Sequence, residues 1–302
     1  MRFSKNIFCV LLLFSISMAM AAPKVYIPLG SGDLIIAVDA KTDKIIAKYT
    51  GVKNAHGLVA TPDGEYLIAG SLNEKPRKPN DAKNKANSEL YLVHPAHGHV
   101  MSVIPVVGST HHQAITPDGR YVLSTHLSRG LISVYDIKEN KIIREIKTGL
   151  VPNSTIVSKD GLKAYVSNTG ANNIAEIDIK TWKKTRTLES GPGPEHMVLS
   201  KDGETLFVNN PRAGKVSFVS IASGKVSKSH DIGKNIHGID LGDDGKTLFL
   251  SAKGDEKLVA LNVDNGKLQQ IKLGPAPYNL NTITGTGKIY VSSRNKPLIW
   301  VV

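Results

Sequence analysis

Thiol chemistry is almost missing from this chain. Its one cysteine among 302 residues is Cys9, inside an apolar N-terminal stretch read below as a removable leader. The mature chain then has no disulfide, no thiolate metal ligand and no cysteine nucleophile. Aromatic residues are also sparse, at 6%, and the two tryptophans, Trp182 and Trp300, fall in strand-like stretches and read as packing contacts. No glycine-rich phosphate loop, zinc-protease helix motif or nucleophile elbow occurs. No stretch carries the period of a long amphipathic helix, and beyond the N-terminus no apolar run approaches the length of a membrane span. Acidic residues are in deficit, 26 against 38 basic, for a formal charge of +12.

The N-terminus has the order of a secretory signal peptide. Arg2 and Lys5 precede an apolar run from Ile7 to Met18, and Ala19-Met20-Ala21 follows as a small-x-small cleavage pattern. The expectation is a leader over residues 1–21, a single domain over residues 22–302 and a periplasmic location. Loss of Arg2 and Lys5 would bring the charge from +12 to +10. So basic a chain favours anionic partners: a small anionic ligand, an acidic protein or membrane phosphates. Export argues against nucleic acid.

What the sequence has in quantity is a repeat. Thr61-Pro-Asp-Gly64, Thr116-Pro-Asp-Gly119, Ser158-Lys-Asp-Gly161, Ser200-Lys-Asp-Gly203 and Gly242-Asp-Asp-Gly245 are one turn recurring, and Thr284-Gly-Thr-Gly287 is a degenerate sixth copy. The first spacing is 55 residues and the following four are 42. Asp-Gly is read as a two-residue hairpin turn with both central residues at positive φ. A β-rich stretch follows each turn, then a second and a third separated by polar turns. Short alternating strands at this period predict an all-β, seven-bladed β-propeller of four-stranded antiparallel blades. Lys24 to Thr50 matches strands two to four of a blade and Asn279 to Val302 matches strands one to three, so the terminal blades are incomplete. The longer first spacing places an inserted, polar surface loop over residues 73–88, a candidate lid.

The segments Ala164-Tyr-Val-Ser-Asn168, Leu206-Phe-Val-Asn-Asn210 and Ile289-Tyr-Val-Ser-Ser293 resemble the YVTN-type repeat of secreted bacterial propellers, over Lys24 to Val302. The resemblance extends to the haem-binding propeller of cytochrome-type nitrite reductase and the copper propeller of nitrous-oxide reductase. It is specific for fold and weak for function.

In a four-stranded blade the first strand lines the central channel. The residue five positions before each Asp-Gly turn motif then reaches one mouth of that channel: His56, His111, Asn153, Glu195, His237 and Asn279. One step further in stand His112 and His196, which simple strand alternation would point elsewhere. Loops between second and third strands bring His126, Arg129, Asn168, Arg212, Lys253 and Arg294 to the same face. Six of the ten histidines thus converge on one face. Without cysteine, imidazole and carboxylate are the strong transition-metal donors available. His56, His111, His126, His196 and His237 are the candidate metal ligands. His112, Asn153, Glu195, Asn279, Arg129, Arg212, Lys253 and Arg294 are candidate ligand-binding residues. His94, His97 and His99 fall in a turn on the opposite face.

Ser109 to Val122 is similar to the histidine-rich strand openings of the copper propeller, which implies copper. The haem propeller implies instead a tetrapyrrole held by a histidine, with Arg129, Arg212, Lys253 and Arg294 pairing its carboxylates. The chain departs from both families: it has no cysteine-bearing copper domain and no Cys-x-x-Cys-His haem attachment. Three readings stand at this level: a metal propeller, of the copper type by resemblance, acting in redox chemistry or cofactor delivery with a periplasmic redox partner; a haem-type tetrapyrrole carrier; and a non-enzymatic scaffold for an anionic ligand or a protein.

Overall fold

The computed structural model describes residues 23–76 and 86–302. The expected leader, including Cys9, lies outside the described residues, and of the 73–88 insertion only the two ends fall within them. Among the described residues the chain forms seven antiparallel sheets in chain order, five of four strands and the first and last of three.

The first sheet holds β1 (Lys24–Leu29), β2 (Leu34–Asp39) and β3 (Lys44–Thr50). The second holds β4 (Ala55–Ala60), β5 (Leu67–Ser71), β6 (Ser88–His94) and β7 (His99–Val106). The third, fourth and fifth are β8 (Gln113–Ile115) to β11 (Lys141–Lys147), β12 (Pro152–Val157) to β15 (Lys183–Glu189), and β16 (Met197–Leu199) to β19 (Lys225–Asp231). The sixth runs from β20 (Ile236–Leu241) to β23 (Leu268–Lys272), and the seventh holds β24 (Pro277–Ile283), β25 (Lys288–Ser293) and β26 (Ile299–Val301). Neighbouring first strands pack on one another around the axis, β4 on β8, β8 on β12, and so on to β24. The architecture is a seven-bladed β-propeller.

Apolar alternation builds it. The middle strands of each blade bury both faces, as in Leu131–Asp136, because each face meets a neighbouring blade. The outer strands are polar on their exposed side, as in Lys183–Glu189. Between blades lie separate apolar clusters, for example Leu123, Ile132 and Val134 against Ala164, Val166 and Ile177. Stability therefore rests on a series of nearest-neighbour interfaces.

The recurring turn differs from the two-residue hairpin expected of it. Only its glycine takes positive φ (72° at Gly64, 73° at Gly119), while the Pro-Asp pair before it does not. Proline is locked near −65° and cannot enter that region. The segment is a four-residue loop, 62–65, closed by the Thr61 N–H donating to the Tyr66 carbonyl at 2.9 Å, with the Gly64 N–H donating to the Thr61 carbonyl at 2.8 Å and glycine in the left-handed position. The repeated Asp has a job in it. Asp63 accepts from the Thr61 hydroxyl at 2.5 Å and from the Glu65 N–H at 3.0 Å, and Asp118, Asp160 and Asp202 repeat this arrangement. Trp182 also differs: it stands in the tight turn before β15 at φ 55°, packed on Tyr121.

The ring closes between the first and last blades. Ile36 and Val38 of β2 pack against Tyr290 of β25. The Lys288 ammonium donates to both Asp43 carboxylate oxygens, at 2.8 and 2.7 Å, and to the Ala40 carbonyl at 2.8 Å. The Tyr290 hydroxyl donates to the same carboxylate.

Candidate histidine site at the channel mouth

A repeated bulge opens the first strands. In the third blade the His111 N–H donates to the Thr125 carbonyl at 2.9 Å, and the Thr125 N–H donates to the His112 carbonyl at 3.0 Å. Two residues therefore oppose one. In the fifth blade Glu195 and His196 oppose Asn209 in the same way, at 3.1 and 3.0 Å. A bulge suspends the alternation of a strand. His112 and His196, expected to point away from His111 and Glu195, join them instead.

In the third to sixth blades a polar residue near the end of the second strand positions this mouth by reaching into the next blade. The Thr125 hydroxyl donates to the Asn153 carbonyl at 2.8 Å and the Ser167 hydroxyl to the Glu195 carbonyl at 2.5 Å. The Asn209 amide donates to the His237 carbonyl and the Ser251 hydroxyl to the Tyr278 carbonyl. These four second strands thus fix the backbone of the neighbouring first strand at the level of the site.

Five imidazoles meet there in a continuous chain. His56 and His111 have ring centroids 4.5 Å apart, His56 and His112 5.1 Å, and His111 and His112 4.4 Å. His112 meets His196 at 4.4 Å, and His196 meets His237 at 4.4 Å. Tyr278 stacks on His237 at 3.6 Å. The Arg294 guanidinium lies 5.1 Å and the Lys253 ammonium 5.5 Å from the Tyr278 ring centroid.

The donor atoms of these rings are largely bare. His56 Nε2, His112 Nε2, His196 Nε2 and His237 Nδ1 are buried and have no hydrogen-bond partner. His237 as a whole is 8% exposed. His111 Nδ1 lies 3.2 Å from the Asn153 carbonyl oxygen. A carbonyl only accepts, so Nδ1 carries the proton and Nε2 keeps its lone pair free. The side-chain oxygens of Asn153 and Asn279 are likewise buried and unpartnered.

Burial holds these rings neutral. Desolvation, reinforced by His111 and Arg294, depresses His56 to about 3. Burial depresses His111 and His196 to about 4 and about 3. His112 and His237 are pushed well down by burial and by the other imidazoles, with Lys253 acting also on His237. Burial raises the Glu195 carboxyl, against the opposing pull of Lys253 and Arg212. The result is five neutral imidazoles and one carboxyl.

His126 does not belong to this group. It is fully buried, with Nδ1 3.1 Å from the Gly108 carbonyl and Nε2 2.7 Å from the Ser133 hydroxyl. Neither nitrogen is free for a metal. The reason is register: His126 ends β9 (Tyr121–His126) where Asn168 ends β13 (Lys163–Asn168) and Asn210 ends β17 (Thr205–Asn210), and those asparagines bond the next strand, at its first residue Asn173 and its third residue Ser217. Asn168 is therefore structural too. Arg129 pairs with Glu74, whose carboxylate also accepts from Asn87, the Ser109 N–H and Ser128 at 3.1, 3.2 and 2.9 Å. That pair ties the base of the insertion to the loop leading into His111. Arg212, Lys253 and Arg294 have no ion pair among the described residues. On the opposite face His94 and His97 stack at 4.0 Å, with His99 5.9 Å beyond.

Sequence reasoning missed Tyr278 and the residues that stitch one blade to the next. The stitch was visible as the recurring fifth residue of four second strands, Thr125, Ser167, Asn209 and Ser251. Tyr278 precedes the mouth position of its blade by one, and nothing in the repeat marks it.

Residues 108–246 match the model of the YNCE-like beta-propeller family. No curated protein matches the chain. Among solved structures, hydrazine synthase from Kuenenia stuttgartiensis is 16% identical with a TM-score of 0.78, over 92% of each chain. A putative 6-phosphogluconolactonase from Bacteroides uniformis is 19% identical with a TM-score of 0.74, over 89% of this chain and 86% of that one. A protein of unknown function from Desulfotomaculum acetoxidans is 18% identical with a TM-score of 0.72, over the same shares. At these identities the likeness is one of fold. It shows no specific kinship with the nitrite- or nitrous-oxide-reductase propellers.

Proposed function

We propose that this chain is an exported propeller that binds a transition metal, copper first among the candidates, through the histidines of the channel mouth. The observation that carries the reading is the set of four buried imidazole nitrogens without a partner, beside a fifth, His111 Nε2, left free by the bond to Asn153. An unpaired buried polar atom costs about 1–3 kcal/mol, and a cluster of them is explained by bound metal that takes up their lone pairs. A nitrogen-rich donor set with one carboxylate suits copper, zinc or nickel, and the affinity order of such sites peaks at copper. Arg212, Lys253 and Arg294, free of ion pairs, give the rim a positive field that favours a small anion as the exogenous ligand. The ordered charge, apolar run and cleavage pattern of residues 1–21 support export.

The test is elemental analysis of untagged protein recovered from the periplasm, with dialysis against copper and zinc for protein that emerges empty. Metal retained by the wild type and lost from His111→Ala/His237→Ala supports the reading. Protein that stays empty under both conditions overturns it. A Soret-region band on adding haem would carry the tetrapyrrole reading instead.

A further inference from the structure

The donors at the mouth sort into two sets. His56, His111 and His112 offer ligand atoms that all lie within 4.8 Å of one another, and so do Glu195, His196 and His237. The first set comes from the second and third blades, the second from the fifth and sixth. They touch through one contact, the edge-to-face pair of His112 and His196 at 4.4 Å.

The six donors do not form one group, since ligand atoms lie within 4.8 Å of one another only inside each set. Metal–nitrogen bonds are about 2.0–2.1 Å long, so donors to a common ion lie no more than about 4 Å apart. The chain His56–His112–His196–His237 extends over three successive ring contacts of 5.1, 4.4 and 4.4 Å. Each set alone is compact enough, given small rotations of its rings. Each also has its own unsatisfied nitrogens: His56 and His112 Nε2 in the first, His196 Nε2 and His237 Nδ1 in the second. A single ion in either set would leave the other set's buried atoms bare.

We infer that the mouth holds two metal ions side by side, one on His56, His111 and His112 and one on Glu195, His196 and His237. The inference rests on the metal-binding reading above and adds its number and division. The two sites are unequal. The first is built of three neutral imidazoles. The second includes a carboxylate and stands beside Lys253 and Arg212, the charges that act on Glu195. Three protein donors leave positions open on either first-row ion, and Lys253 and Arg212 beside the second make it the one that favours an exogenous anion.

The experiment titrates untagged, metal-free protein with copper(II), and in a separate arm with zinc(II). Bound metal is counted after gel filtration, and the copper samples are examined by electron paramagnetic resonance. A His97→Ala/His99→Ala background removes the exposed imidazole stack as a competing site. Two half-site variants, His56→Ala/His111→Ala and Glu195→Gln/His237→Ala, are checked for fold by circular dichroism. The expected result is two equivalents in the parent and one in each half-site variant. The copper signal should be broadened or lost by coupling in the parent and that of an isolated ion in each variant. One equivalent in the parent, abolished by either variant, would overturn the two-ion division and leave the metal-binding reading in place. No bound metal in any arm would overturn both.

Discussion

The imidazoles of His112 and His196 meet edge to face, with centroids 4.4 Å apart and planes at 75°, although their blades are separated by a third. Both rings are aimed there by bulges in which two residues oppose one, at Thr125 and at Asn209. Each ring keeps a buried Nε2 without a partner. The fourth blade, between them, presents only Asn153 and Ser154 at that level, which leaves room for the rings to meet.

Filling such a place with an apolar side chain relieves the metal-free protein. His196→Leu is expected to raise metal-free stability by about 1–3 kcal/mol, the penalty of an unsatisfied buried group. The variant should also lose the share of metal stabilisation that the Glu195–His196–His237 set gives, about 2.7 kcal/mol at a hundredfold excess over its Kd. Thermal unfolding with and without copper measures both. A variant less stable than the wild type without metal would show that the imidazole is already satisfied.

Gly57 and Gly238 hold the position next to the mouth in their blades, where the third and fifth blades have His112 and His196. A Cβ on Gly57 would overlap the His111 carbonyl oxygen and the Gln113 side chain, and one on Gly238 would stand 2.6 Å from the Tyr278 carbonyl and 2.7 Å from the Leu280 nitrogen. Backbone cannot move aside as a side chain does. Gly57→Ala and Gly238→Ala should each destabilise by about 1–3 kcal/mol and weaken metal retention by displacing His111 or Tyr278. Denaturant unfolding and metal counting decide it. Unchanged values for both would mean that the blades are further apart than the structure has them.

The blades, the ends of the ring and most mouth positions were legible in the sequence because a repeat repeats its register. Asp-Gly turns mark the level of the strand, and counting five residues back from them reaches His56, His111, Glu195 and His237. What the count misses is hydrogen-bond register. The bulge that turns His112 and His196 inward leaves no trace in composition, and strand alternation gives the opposite answer. His126 was misplaced because the end of a strand and the start of its loop look alike in sequence. Its equivalence to Asn168 and Asn210 becomes meaningful only once those side chains are seen bonding the adjacent strand. Closure through Asp43, Lys288 and Tyr290 joins residues about as far apart in the chain as it allows, and no local pattern announces it.

His126 gives a pH dependence independent of the metal cluster. Burial, aided by the Arg129 charge and opposed by the bond to Gly108, depresses it from 6.5 to about 4. Above pH 6.5 the ring is neutral in the folded and the unfolded chain, and its full contribution is present. Below 6.5 the unfolded chain takes a proton that the folded chain refuses until about 4, so stability falls with acidification across that window. The slope is about 1.4 kcal/mol per pH unit for one proton. His126→Asn, the residue that the fourth and fifth blades use, should flatten the slope by about one proton between pH 6 and 4.5 in denaturant titrations. An unchanged slope would place the ring's folded-state titration near its ordinary value.

Asp43 is the clasp of the ring. Hydrogen bonds from Lys288 and Tyr290 hold its carboxyl below the usual range, and burial, with the same contact second, raises the Tyr290 hydroxyl. In a chain of nearest-neighbour blades the interface between first and last is the one that no loop supports. Its loss opens the ring at both three-stranded sheets. Asp43→Ala should therefore lower the melting temperature and speed unfolding, and Tyr290→Phe should reproduce part of the effect. Asp264→Ala, which removes an exposed pair with Lys246 at 3.5 Å away from the closure, is the control and should leave both nearly unchanged, as surface pairs do. Because the Asp43 carboxyl is depressed, its contribution is complete at neutral pH and is lost as pH falls below the ordinary carboxylate range. The difference between wild type and Asp43→Ala should shrink in acid. Equal effects from Asp43 and Asp264 at neutral pH would mean that Ile36, Val38 and Tyr290 close the ring by packing alone.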